Sequence, residues 1–391
     1  MQIANDIFSI VHQYDVLFVD MYGVLYGGVG LLDGVLETLE KIKKGFGKKI
    51  VIVSNTTQTS AEAQHSYEKY GMFGGLHYDL FITSGELLKH ELNSNFLAFS
   101  SLFPSKVRAI TSLFQWNDAV FQNNPLAKVD SYDDADIIYV GVPKVANNRI
   151  GIKDFRDKNG NAIRLEDLVN ADWKIIKNSA GKCELAELAE LLEDFLRKNK
   201  VLLVANPDIF AHGILGDASV RVPLITQGCI GRYYEKLGGK VVYLGKPYRR
   251  IFEFAIGCAS EKFGNSSWKI AMVGDTPWTD VLGANISGID SIMTLTGIAE
   301  EFFAIAPSHL SETDKIDAFF SEIAIKLVEM SSSKLQQKCR SSECRYGHSN
   351  DVGGNVRPSG ELYQPVDNDQ QNVAQMVFPR YIIRRFAPIS N

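Results

Sequence analysis

Apolar residues in this chain fall into short unbroken runs that alternate with stretches of helical spacing. Residues 15–20 hold Val16-Leu17-Phe18-Val19, an apolar run that ends abruptly at Asp20 and predicts a buried strand. Residues 32–44 space Val35, Leu36, Leu39 and Ile42 on one helical face and end in lysines and Gly45, a stop signal. A second strand is expected over 49–54, a helix over 60–70 stopped by Gly71, and a third strand over 80–83, followed by Ser84-Gly85-Glu86 and another helix. A short amphipathic lead-in helix is expected over 6–12. Strands alternating with helices predict βαβ units, a mostly parallel sheet and an α/β fold.

The middle of the chain changes character. Residues 136–142 and 200–206 read as strands and 182–198 as a helix, which together predict a separate α/β unit inserted at 85–210. The host domain is expected at 1–84 and again at 211–330. Its second part should hold a helix over 228–238, a strand over 241–245, a helix over 249–263, a strand over 269–275 and a helix around 280–287. An inserted unit of this kind suits a moving cover that excludes water from a site. Beyond about residue 330 the chain turns polar and weakly patterned, with Ser331-Ser332-Ser333, Gly353-Gly354 and Gln370-Gln371. Residues 331–391 are expected to form a disordered or loosely docked tail. Its end, from Phe378 to Phe386, is apolar and basic, suited to docking on a partner or on the protein itself, although a solvated end is the plainer expectation. No internal repeat is present.

Composition narrows the function classes. A chain of 391 residues has room for two ordinary domains. Its net charge of −5 gives no electrostatic case for nucleic-acid binding. Five scattered cysteines, an odd number, argue against a disulfide framework and for a reducing compartment. The start of the chain has no basic-then-apolar signal pattern, and no apolar run approaches the ~20 residues of a membrane span. A cytoplasmic protein with no membrane partner is therefore expected, and a homo-oligomer stays open.

The chemistry concentrates at strand ends. Asp20 closes the first strand, and Ile270-Ala271-Met272-Val273-Gly274 stops at Asp275, with Asp280 five residues on. Ligands of open α/β sheets sit beyond the carboxyl ends of their strands. Carboxylates gathered there form an oxygen-ligand site for a small hard cation. A carboxylate in such a place can attack phosphorus directly. Gly23 permits close backbone approach to a ligand. Ser54 and Asn55 end the second strand, where a hydroxyl and backbone N–H groups suit phosphate oxygens. Gly245-Lys246-Pro247 sets a lysine after a strand, with the proline expected at the first turn of a helix. Each aspartate taken alone reads better as a helix or turn cap; the pair with flanking glycines, at the ends of two strong strands, points to function.

In this order the Asp20 block, Ser54, Lys246 and Gly274-Asp275 with Asp280 resemble the four motifs of the haloacid dehalogenase-like (HAD) hydrolase superfamily. The insertion between the second and third motifs resembles a type 2 cap. Thr83-Ser84-Gly85-Glu86, Asn206-Pro207-Asp208, Gly238-Gly239-Lys240 and Gly245-Lys246-Pro247 resemble its class IIA sugar-phosphatase-like and nitrophenylphosphatase-like members. The likeness covers roughly residues 10–300, and it is specific as an ordered set. It implies a Rossmann-like three-layer core with an inserted α/β cap. It implies Asp20 as nucleophile and Mg²⁺ ligand, with the backbone carbonyl of Tyr22 and Asp275 as further ligands and Asp280 supporting the metal's water shell. Ser54, Asn55 and Lys246 would bind the phosphoryl group, beside Tyr22 and Gly23. The Asn206-Pro207-Asp208 turn would help form the pocket for a small phosphorylated metabolite, such as a sugar phosphate.

One departure stands out. Phosphatases of this superfamily carry an aspartate two residues after the nucleophile as acid and base, and here that position is Tyr22. A tyrosine, with an unperturbed pKa near ~10, is a poor base at neutrality, and such help is typically worth ~10²–10⁴ in rate. Phosphomonoester hydrolysis through an aspartyl-phosphate is the expected reaction. The rivals are a dehalogenase or phosphotransferase on the same scaffold, or a catalytically weak protein that binds phosphorylated ligands. Retention of Asp275 and Asp280 argues against dehalogenation. Cys339, Cys344 and His348 lack the spacing of a structural zinc site, His212 reads as a hinge-loop residue, and Trp278 either lines the pocket or packs its loop.

Overall fold

The computed structural model describes residues 2–145, 148–150, 155–157, 159–163, 165–178, 181–214, 221–264, 267–297, 300, 315–316, 318–320 and 378–387. Cys339, Cys344 and His348 lie outside these residues, as does most of the expected tail.

The chain opens with a short strand, β1 (Gln2–Ile3), and β2 (Val16–Val19) follows. Between them the expected lead-in helix is two separate 3-10 turns, Ile7–Ser9 and Val11–Gln13. The Asp6 side chain caps the first by accepting from Ser9 N, and the chain leaves helical geometry at Ile10, so the turns do not fuse. Helix α1 (Val35–Glu40) runs on as a wider turn through Gly45 to β3 (Lys49–Ser54). Next come α2 (Ser60–Glu68), β4 (Leu80–Thr83), α3 (Ser84–Asn93) and α4 (Phe96–Ser101). The start of α2 is written in its sequence: Thr59 accepts from Glu62 N while the Glu62 side chain accepts from Thr59 N, a reciprocal capping box.

A second set of elements follows: β5 (Ala109–Leu113), β6 (Ala127–Lys128), β7 (Ile137–Val140) and a small hairpin of β8 (Lys144–Val145) and β9 (Asn148–Arg149). Then come α5 (Ala186–Arg197), β10 (Val201–Val204), a hairpin of β11 (Phe210–Ile214) and β12 (Arg221–Ile225), α6 (Gln227–Lys236) and β13 (Lys240–Tyr243). The chain closes with α7 (Arg249–Phe263), β14 (Ile270–Gly274), α8 (Leu282–Ile286), β15 (Asp290–Thr294) and β16 (Tyr381–Ile383). His212, expected in a hinge loop, lies in β11 opposite Pro223.

The strands form two parallel sheets. The larger has the order β1-β16-β15-β14-β2-β3-β4, the smaller β13-β10-β7-β5-β6. A parallel sheet covered on both faces needs apolar residues at successive positions, and β2 shows why its run is unbroken. Val16 and Phe18 face one apolar cluster with Val51, Leu87 and Phe252; Leu17 and Val19 face another with Ile50, Val35 and Leu39. The result is the Rossmann-like three-layer α/β core. Ile110, Ile137, Tyr139 and Leu203 of the smaller sheet share the first of these clusters, so the two sheets meet in one continuous core. Its other face, with Ile138 and Leu202, packs on Trp173, Phe195 and Tyr233.

Two expectations are corrected here. The strand before Gly245, expected to resume the host sheet, pairs instead with β10 in the smaller sheet, Leu203 opposite Val242. The β10–α6–β13 unit is a parallel crossover that extends the sheet it started from. Near the chain's end, β16 inserts between β1 and β15 rather than staying solvated. Ile382 packs with Met293, Ile316 and Phe320, and the Tyr381 hydroxyl donates to Gln13 Oε1 at 2.8 Å. An apolar strand buries itself where it completes the sheet's hydrogen bonding and covers its edge. No helix among the described residues is long and apolar enough to cross a membrane.

Ile382→Ala should therefore lower the unfolding free energy by about 2–5 kcal/mol, the usual cost of emptying a filled core position. Urea denaturation followed by tryptophan fluorescence measures it. An unshifted midpoint would mean that this strand contributes nothing to the core.

Candidate active site

The register of the larger sheet brings the first motif groups together. β2 lies between β14 and β3, with Val19 opposite both Val273 and Ile52. The chain past β2, β3 and β14 therefore emerges along one edge, carrying Asp20, Ser54-Asn55 and Asp275. Asp20 N donates to Val273 O at 2.8 Å, which ties the two acidic strand ends directly. Carboxylate oxygens of Asp20, Asp275 and Asp280 all lie within 4.8 Å of one another, and all three residues are buried.

Lys246 arrives from the other sheet. Leaving β13, the chain turns at Gly245 and drives the lysine into the acidic group, where it is 1% exposed. Its ammonium donates to Asp20 Oδ1 at 2.6 Å, Asp280 Oδ1 at 2.7 Å and Val53 O at 2.8 Å, which uses all three of its protons. Pro247 is not the first residue of the following helix, as expected; α7 starts at Arg249 after an extended Tyr248. The lysine is thus placed by the crossing segment and by its ion pairs rather than by a helix start. Gly245 has φ +105°, and a Cβ there would press on Asn55 Oδ1, Ala205 O and Pro207 Cδ at 2.8–2.9 Å. Only glycine lets these three segments close on one point.

Asn55 is the hub of that junction. Its Oδ1 accepts from Lys246 N at 2.7 Å, and its Nδ2 donates to Asp208 Oδ1 at 2.9 Å and Lys246 O at 3.0 Å. The turn after β10 presents Asp208: Asp208 N donates to Asn206 Oδ1 at 2.9 Å, and the Thr226 hydroxyl donates to Asp208 O. The loop after β3 is braced from below by the Thr83-Ser84-Gly85-Glu86 segment. The Ser84 hydroxyl and Gly85 N donate to Thr56 O at 2.9 and 3.1 Å, and Glu86 accepts from Ser60 N at 2.9 Å.

Electrostatics follow from this packing. Burial, reinforced by repulsion from Asp280 and Asp275, pushes the Asp20 carboxyl well above the ordinary range, against the pull of Lys246. Burial alone would lower the Lys246 ammonium, but Asp20 and Asp280 outweigh it and hold the pKa above its ordinary value. Burial lifts Asp208 to about 6, opposed by the Asn55 hydrogen bond and by Lys246. Three buried carboxylates face one ammonium, so the group carries excess negative charge, an arrangement that a bound cation relieves.

Several supporting residues were not foreseen. Thr276 N donates to Asp280 Oδ2 at 3.1 Å, and the Thr276 hydroxyl donates to Asp275 Oδ1 at 3.0 Å. The Thr296 hydroxyl donates to Gly23 O at 2.6 Å, fixing the turn after Asp20. Gly23 (φ +86°) and Gly297 (φ +60°) flank Asp275, and a Cβ on either would overlap its carboxylate. The only signal for the second pair was a threonine–glycine step, Thr296-Gly297, after an apolar strand. Tyr22 is half-buried and leads an aromatic cluster: its ring stands edge-on to Tyr26 at 5.4 Å, which in turn meets Tyr67 and Tyr70. Trp278 packs against the cluster of Val281, Met293 and Phe320, resolving its two expected roles in favour of packing.

Comparison with known proteins agrees with this fold. Residues 17–111 match the family model described as haloacid dehalogenase-like hydrolase, and residues 243–314 match one described as HAD-hydrolase-like. Phosphoglycolate phosphatase 2 of Arabidopsis thaliana is 24% identical over 327 residues, covering 82% of this chain and 95% of that protein. A haloacid dehalogenase-like hydrolase from Brucella suis 1330 superposes with a TM-score of 0.56 at 20% identity, over 76% of this chain and 91% of that one. A possible sugar phosphatase of the HAD superfamily from Cytophaga hutchinsonii gives a TM-score of 0.52 at 23% identity, over 80% and 98%. The matched segments, 17–111 and 243–314, are haloacid dehalogenase-like hydrolase segments, and they are the ones that carry Asp20, Ser54, Lys246, Asp275 and Asp280.

Proposed function

We propose that this enzyme hydrolyses the phosphate monoester of a small metabolite through an aspartyl-phosphate on Asp20. The observation that carries this proposal is the contact of Asp20 with Lys246 in a buried group that also holds Asp275 and Asp280. Lys246 neutralises charge beside the attacking oxygen and orients it. Ser54 and Asn55, at the end of β3, border the place of the phosphoryl oxygens. The names of the similar Arabidopsis and Cytophaga proteins support a small phosphorylated substrate, a short phosphorylated acid or a sugar phosphate. The smaller sheet serves in this proposal as the cap that selects among such substrates.

The donor set is all oxygen and strongly acidic, which fits Mg²⁺ rather than a softer metal. Asp20, Asp275 and the backbone carbonyl of Tyr22 would hold it, with Asp280 supporting its water shell. When bound, Mg²⁺ supplies charge neutralisation for the phosphoryl oxygens. The rival dehalogenase needs no acidic fourth motif, and the buried Asp275–Thr276–Asp280 arrangement disfavours it.

Phosphate release from a panel of monoesters, p-nitrophenyl phosphate included, should require Mg²⁺, stop in EDTA and fall to background in Asp20→Asn. A folded wild type that releases nothing from any ester would favour the ligand-binding rival. Gly23→Ala should thrust a methyl group at Asp275 from a left-handed backbone position. Mg²⁺ should raise the melting temperature of the wild type, as any ligand specific to the native state does, and should leave that of Gly23→Ala unmoved. An equal rise in both would remove Asp275 from the cation site.

A further inference from the structure

We propose that Asp208 is the catalytic acid and base of this enzyme, filling the role vacated at Tyr22; the assignment rests on the phosphatase reading above. Asp208 belongs to the turn after β10, and Asn55 joins it to Lys246. The orientation of the Asn55 amide is forced. Backbone Lys246 N can only donate, so the amide oxygen must face it and the amide nitrogen must face Asp208. Asp208 Oδ1 is thereby fixed as an acceptor. Oδ2 has no hydrogen-bond partner among the described residues and still reaches solvent. When the carboxyl is protonated, its proton belongs on Oδ2.

The other carboxylates around this edge are already engaged. Asp280 holds Lys246 and Thr276 N, and Asp275 accepts from the Thr276 hydroxyl. Glu62 closes the capping box of α2, and Glu86 accepts from Ser60 N. The groups that act on Asp208 are the Asn55 amide, Lys246 and Asp280. Their sum with burial leaves the carboxyl at about 6, close to neutrality, where a group both gives and takes protons effectively.

The chemistry balances. As Asp20 attacks phosphorus, the bond from phosphorus to the ester oxygen breaks and the Asp208 proton passes to that oxygen, releasing the alcohol. The Asp208 carboxylate then takes a proton from the water that attacks the aspartyl-phosphate. The bond from phosphorus to Asp20 breaks, phosphate leaves, and both carboxyl groups return to their starting states.

Leaving groups separate this role from a structural one. Asp208→Asn keeps the shape and an acceptor for Asn55. Single-turnover release of alcohol from glycerol phosphate, a poor leaving group, should fall ~10²–10⁴-fold, the usual worth of acid catalysis, and that of nitrophenolate from p-nitrophenyl phosphate less than about tenfold. The ionisation near 6 should vanish from the pH profile of kcat/KM, and Asp208→Glu should restore part of the alkyl-ester rate. An equal fall for both esters, or no fall for either, with wild type active, would overturn the assignment alone. A wild type inactive on every ester would overturn the phosphatase reading and this assignment with it.

Discussion

The ammonium of Lys246 holds the site together. Its three protons go to Asp20, Asp280 and Val53 O, all within 2.8 Å, and the ammonium itself is buried. Burying one such charge alone costs several kcal/mol, and burying three carboxylates costs more. The group is tolerable only because each member is paired or hydrogen-bonded, and because a cation can share the remaining negative charge. The position of Asp20, its protonation and the placement of Asp280 all depend on this one side chain.

The lysine comes from the sheet that does not carry Asp20. β13 belongs with β10, and the chain crosses to the larger sheet only after Gly245. Asn55 then binds both the crossing segment and the turn after β10. A movement of the smaller sheet against the larger would therefore act on the site through these contacts and not merely cover it. The shared apolar cluster that includes Val16, Ile137 and Leu203 limits how far the two sheets can separate without exposing core.

Tyr22 marks where this chain leaves the pattern it resembles. The position two residues after Asp20 is spent on an aromatic cluster with Tyr26, Tyr67 and Tyr70. Burial, with smaller contributions from Tyr26, Tyr22 and Asp20, pushes the Tyr67 hydroxyl above its usual range, whereas the hydrogen bond with Tyr26 lowers that of Tyr70.

The sequence by itself determined the parallel α/β class, because unbroken apolar runs such as Val16–Val19 are needed only where a strand is covered on both faces. It also determined the acidic strand ends and the lysine, since abrupt breaks from apolar to charged residues are local. Sheet membership was not local: β13 reads the same whichever sheet it joins, and only the match to β10 and α6 decided it. β16 was illegible for the same reason, since a short apolar segment declares its partner only when an open sheet edge is present. Tertiary structure alone set Asn55 between Lys246 and Asp208 and raised the Asp208 carboxyl toward neutrality. A pKa and a hydrogen-bond orientation depend on burial and on neighbours 150 or more residues away along the chain, which no local pattern encodes.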